Sequence, residues 1–163
     1  MTLANTVDDR TLLMTRVLNA PRARVFQAWT TPEQVAQWWG PEGYVTEHCE
    51  MDIRRGGSYR VSMRSPEGVV YRKRGTYREI VAPERIVFTF AWEDSNGIPG
   101  HQTTITVTLE DLGDRTRLTL RQAVFETTEW CEDHRRGWTS CLDRFTAWLA
   151  TSKNNTDRAG EPQ

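Results

Sequence analysis

The stretch from Thr128 to Leu149 constrains this chain more than any other. Trp130, His134, Trp138, Cys141, Phe145 and Trp148 or Leu149 recur every three or four residues, which sets them on one broad stripe of an α-helix. Glu129, Glu132, Asp133, Arg135, Arg136, Asp143 and Arg144 fall mostly between them. A helix of this span is about 30 Å long. It follows a run of short β-rich segments, so its stripe has to be buried on a sheet. Because the stripe carries bulky aromatics, a histidine and a cysteine, the space between helix and sheet is a candidate pocket as well as a core.

The segments before it read as strands joined by turns. Thr11–Leu18 is a plausible first strand. Six more candidates follow, at Tyr44–Asp52, Ser58–Arg64, Val69–Ile80, Arg85–Trp92, Gln102–Leu112 and Thr116–Ala123. The connections are short and rich in Gly, Pro, Asn, Asp and Ser, so neighbouring strands run antiparallel. Period-two alternation puts Tyr59, Val61 and Met63 on one face, with Ile86, Phe88, Phe90 and Trp92, Ile105, Val107 and Leu109, and Leu118 and Leu120. One face is oily and the other wet, as in a sheet covered on one side.

Two short helices are expected after the first strand. Ala20-Pro21 opens one, with Val25, Phe26 and Trp29 on one side. Thr31-Pro32-Glu33-Gln34 opens the other, with Thr31 as cap and Gln34 answering it. Gly40-Pro41 ends it after Val35, Trp38 and Trp39.

At 163 residues a single domain is expected, with enough core to fold. The boundaries read as a flexible N-terminus over 1–10, a domain over 11–150 and a disordered tail over 151–163. A net charge of -1 gives no basic field for nucleic acid. Arg54, Arg55 and the run Arg72, Lys73, Arg74 read as solvated strand ends, since no Gly-rich phosphate loop opens a helix nearby. No segment approaches a membrane span or a signal peptide. The cysteines Cys49, Cys131 and Cys141 cannot all pair within one chain, so a reducing cytoplasm is expected.

Several motifs, in this order and spacing, resemble the START-like helix-grip superfamily (SRPBCC). They also resemble its branch related to the C-terminal domain of the activator of the heat-shock-protein ATPase. They are Ala20-Pro21 with Val25-Phe26 and Ala28-Trp29, Thr31-Pro32-Glu33, and Trp38-Trp39-Gly40-Pro41. Gly56-Gly57-Ser58-Tyr59-Arg60, Met63 with Pro66-Glu67-Gly68, and Gly75 with Glu79-Ile80 follow. Pro83-Glu84-Arg85-Ile86 and Gly137-Trp138 with Leu142-Asp143 complete the set. The resemblance implies an α+β helix-grip fold. In it, a curved seven-stranded antiparallel sheet carries two short helices after strand 1 and a long C-terminal helix over a cavity. Members of the wider superfamily bind lipids, hormones or polyketide-like molecules, and a minority are cyclases or dehydratases. No catalytic motif is shared across the branch, so chemistry has to be argued from the site.

The candidate ligand-binding set is Tyr59, Val61, Met63, Phe88, Phe90, Trp92, Trp130, His134, Trp138 and Cys141. Each is otherwise an ordinary core residue; as a set they suit an apolar cavity with a few orienting polar groups. His134 is either a polar contact or acid–base group near neutral pH or a structural histidine bonded to a strand. Cys141 is either a reactive thiol or a small apolar filler. His101, beside the long loop Glu93–His101, is either at a pocket mouth or solvated. No metal-ligand spacing occurs, no nucleophile elbow occurs, and no cofactor is implied.

The expected function is binding of an apolar or amphipathic small molecule. The alternatives are an acid–base enzyme of the cyclase or dehydratase kind, with His134 and Tyr59 or Tyr71, and a co-chaperone-like module that binds the heat-shock ATPase. An antiparallel edge strand leaves a homodimer open.

Overall fold

A computed structural model describes residues 9–159. The described residues form a seven-stranded sheet and three helices. The strands are β1 (Leu12–Leu18), β2 (Val45–Met51), β3 (Ser58–Arg64), β4 (Val70–Val81), β5 (Arg85–Trp92), β6 (Thr103–Asp111) and β7 (Thr116–Ala123). The helices α1 (Arg22–Thr30) and α2 (Pro32–Trp38) link β1 to β2, and α3 (Thr128–Ala159) follows β7. The sheet order is β1-β7-β6-β5-β4-β3-β2, antiparallel throughout. This is the α+β helix-grip fold.

The faces follow the alternation of the sequence. Tyr59, Val61 and Met63 are buried in β3 while Ser58, Arg60 and Arg64 are exposed. Ile105, Val107, Leu109, Leu118 and Leu120 are buried in the same core. Register shifts at Thr46/His48 in β2 and Tyr77/Glu79 in β4 interrupt the ladder, and such bulges bend and twist a sheet. Gly75 precedes the second shift. A Cβ there would lie 1.9 Å from the Thr89 carbonyl oxygen and 2.6 Å from the Tyr59 ring, so only glycine lets β4 and β5 approach this closely.

Two local expectations are corrected. Thr31 caps α2 through its backbone and makes no side-chain cap bond. Gln34 instead accepts from Arg24 at 2.9 Å, joining α1 to α2. The helix α3 runs past Leu149 to Ala159, and residues 160–163 of the tail expected over 151–163 lie outside the described residues. So do the first eight residues of the expected flexible N-terminus.

The segment after α2 is fastened to α3. Cys141 donates its S–H to the Trp38 carbonyl and accepts from the Gly40 amide, both at 3.4 Å. Arg144 donates to the carbonyls of Gly40 and Pro41, and the Glu42 amide donates to Ser140 Oγ at 2.9 Å. Gly40 sits at φ 130°, a value that favours glycine.

Candidate functional site

A cavity of about 700 Å³ lies between the sheet and the N-terminal half of α3, within the range of small-molecule sites, about 300–1,000 Å³. The sheet contributes Met63, Tyr71, Lys73, Phe90 and Trp92. The segment after α2 contributes Trp39, Gly40, Pro41 and Tyr44, and α3 contributes Trp130, His134, Gly137, Trp138 and Cys141. Strand pairing explains the sheet's share: Lys73 stands opposite Val61 on one side and Trp92 on the other.

The structure brings Met63, Phe90, Trp92, Trp130, His134, Trp138 and Cys141 to this cavity. Tyr59, Val61 and Phe88 lie elsewhere, in packed core. Tyr59 packs on Tyr77 and Phe88, each at 5.6 Å between ring centroids, with its hydroxyl given to the Thr89 carbonyl at 2.6 Å. They are buried as the alternation implies, and Trp39 fills the space beside Tyr59 and Phe88, at 5.6 and 6.1 Å. Trp130, expected inside on the helical stripe, is 48 % exposed and stacks over His134 at 6.1 Å.

His134 takes the structural alternative. Its Nε2 accepts from Trp92 Nε1 at 3.0 Å, and Phe90 and Phe125 flank the ring at 5.5 and 4.9 Å. Burial, helped by the nearby Lys73 charge, pushes its pKa down to about 4. The imidazole is therefore neutral near pH 7, with its acceptor nitrogen occupied, which removes the basis for acid–base work there. Burial likewise pushes the Cys141 thiol up to about 11, a filler rather than a nucleophile.

Three tryptophan N–H groups, those of Trp38, Trp92 and Trp138, meet protein acceptors. Trp138 Nε1 donates to Gln122 Oε1 at 2.9 Å, and Gln122 passes a bond to Thr103 Oγ1 at 2.9 Å. Trp38 Nε1 donates to the Ala28 carbonyl at 3.1 Å. Trp29 Nε1 is buried without a partner.

The residue that sequence reasoning missed is Lys73. It is 2 % exposed, not a solvated strand end, and its Nζ lies 3.7 Å from the Trp39 ring centroid. Burial pushes its pKa down to about 7. The signal was present: Tyr71, Lys73, Gly75 and Tyr77 share one alternating face, and Arg72, Arg74 and Arg78 share the other.

The long loop after β5 closes with a Glu93–Pro99 bridge and an Asp94 carboxylate that accepts from the amides of Asn96 and Ile98. It covers a second hollow of about 330 Å³ next to the first. His101 lines that hollow, exposed, and donates to the Val124 carbonyl at 2.6 Å. Among the described residues, no three His, Cys, Asp or Glu side chains gather at metal-binding range. Nor, among these residues, is any helix long and apolar enough to cross a membrane.

Solved structures share this architecture. The AHSA1 protein of Silicibacter pomeroyi superposes with a TM-score of 0.81 at 27% identity, over 87% of this chain and 99% of that one. A protein of Chromobacterium violaceum gives 0.76 at 30% identity, over 85% and 96%. A solution structure from Arthrobacter aurescens gives 0.81 at 26% identity, over 89% and 90%. No match is found among curated proteins. Residues 19–150 match the family described as Activator of Hsp90 ATPase homolog 1-like protein, and this chain belongs to that family.

Proposed function

We propose that the protein binds an apolar or amphipathic small molecule in the cavity between sheet and C-terminal helix. The observation that carries this reading is the cavity itself, about 700 Å³ and walled largely by aromatic rings. Gly137 adds weight to it. A glycine inside a helix costs about 1 kcal/mol relative to alanine, and a Cβ at Gly137 would meet nothing within 4 Å. The position therefore keeps space open where a side chain would fit.

The enzymatic alternative has little support from the site, because His134 is neutral and already bonded. The co-chaperone-like reading draws on the family's description and on no feature of this site.

N-phenyl-1-naphthylamine, a neutral hydrophobic dye, should bind saturably and quench tryptophan emission. Gly137→Leu should abolish that binding while leaving thermal stability equal or higher. A non-saturating signal, or unchanged binding in the plugged variant, would overturn the proposal.

A further inference from the structure

Building on the ligand-binding reading, we propose that the cavity takes an amphipathic molecule with one acidic group, a carboxylate or its equivalent, and that Lys73 seats that group. Lys73 holds its amine in a mostly apolar stretch of the cavity wall, 2 % exposed. Its Nζ meets the face of Trp39 at 3.7 Å, the face of Trp92 at 5.9 Å and the Met63 thioether at 4.0 Å. The thioether is a weak acceptor, and it is the only hydrogen-bond partner of Nζ among the described residues.

The surrounding titratable groups do not supply the missing anion. Cys49 from β2 and Cys141 from α3 are thiols whose pKa values are pushed up to about 11 by burial. His134 is neutral, and Arg144 carries the same sign as the lysine. The two carboxylates on the cavity wall are already engaged. Glu93 is held by Arg60 at 2.7 Å and Arg74 at 3.8 Å, and Asp133 is held by Arg136.

A buried charge without a counter-ion is costly, and burial accordingly pushes the amine down to about 7. The Trp39 face works the other way, favouring the ammonium. A ligand carboxylate would supply both the absent acceptor and the absent charge, in a desolvated place where charge-assisted bonds are strong. A neutral acceptor would satisfy the donors and leave the charge uncompensated. The rings of Phe90, Trp92 and Trp138 offer an apolar surface for the rest of such a ligand.

Titration calorimetry with 1-naphthylacetate and its near-isosteric amide tests this on the full chain. The acid should bind about ten-fold or more tighter than the amide, the size expected of a charge-assisted contact. Near about pH 8 the acid should also draw about one proton onto the protein, seen as a buffer-dependent heat, and the amide none. Lys73→Met should lower the acid to the affinity of the amide and remove the proton uptake. The uptake on the unaltered chain stands whether or not that variant folds.

Equal affinities of acid and amide would overturn the acid-headed ligand while leaving the cavity as a binding site. So would failure of both to displace a dye that still saturates. An acid preference that persists in the Lys73→Met variant would overturn the role of Lys73. Loss of the dye signal itself would instead sink the underlying ligand-binding reading.

Discussion

Around Phe145 the C-terminal helix meets the rest of the molecule ring against ring, whereas between Trp130 and Trp138 it spans a void. Phe145 lies 4.5 Å from Trp38 and 6.1 Å from Trp29, centroid to centroid. Leu142 and Phe145 are wholly buried. The hollow beside Trp29 and Trp38 measures about 10 Å³, at the limit of a single water. Nearer the N-terminus of α3, equally aromatic walls line about 700 Å³ of space. Apolar character does not separate the two regions. Filling does: the closed end has a leucine and a phenylalanine on the helix, and the open end has Gly137. Polar satisfaction does not follow the same line. Trp38 at the closed end and Trp138 at the open end both hand their N–H groups to protein acceptors, whereas Trp29 Nε1 is buried without one and the Lys73 amine has a thioether and ring faces.

The largest effect should come from cutting the closed end. Phe145→Ala should cost about 3–5 kcal/mol in denaturant unfolding, the range for removing a buried aromatic side chain. Dye affinity in the variant should stay within about two-fold, as expected of sites that share no contacts. A loss below about 1 kcal/mol would mean that this end is as loosely filled as the other, and the contrast would fail.

The open end should respond to pH instead. The Lys73 amine has an ordinary value of 10.5 and a folded value of about 7. Between these, the unfolded chain holds the proton that the folded chain has lost, so stability rises with pH in that window. Above about pH 9 the raised cysteines and tyrosines oppose this, because their folded forms keep protons that the unfolded chain releases. Between about pH 7 and 8.5 the protein should therefore gain about 1–2 kcal/mol from this group, and Lys73→Met should flatten the slope. An unchanged slope in the variant would show the amine to be solvated in the native state.

The contrast also marks what the sequence could tell. Alternation in β3, β5, β6 and β7 gave the buried face, because a period of two admits only two answers. It could not say which part of that face is packed and which is hollow. Tyr59, Val61 and Phe88 share the face of Met63, Phe90 and Trp92, and only the second group lines the cavity. That division depends on sheet curvature at the bulges in β2 and β4 and on where Trp39 sits, which no strand pattern encodes. Lys73 was lost for another reason. Flanked by Arg72 and Arg74, it read as one of a solvated trio, although Tyr71 and Tyr77 on the same alternation put it inside. His134 was legible as inward and polar, but its bond to Trp92 joins residues far apart in sequence.

Trp130 stands between the two kinds of position, and removing it should have the smallest effect on stability. The 3.6-residue repeat assigns it to the buried stripe, yet it is 48 % exposed where it lines the cavity. A residue this exposed that makes one stacked contact, over His134 at 6.1 Å, should shift unfolding by no more than about 0.5 kcal/mol when cut to alanine. The same change strips apolar surface from the binding wall. It should weaken the neutral dye about three-fold, the equivalent of a few tenths to 1 kcal/mol of lost contact. Measured together, the two numbers place the residue: a small stability change with weaker dye binding puts Trp130 in the ligand's wall. A large stability loss with unaltered binding would return it to the core, where the helical repeat alone had it.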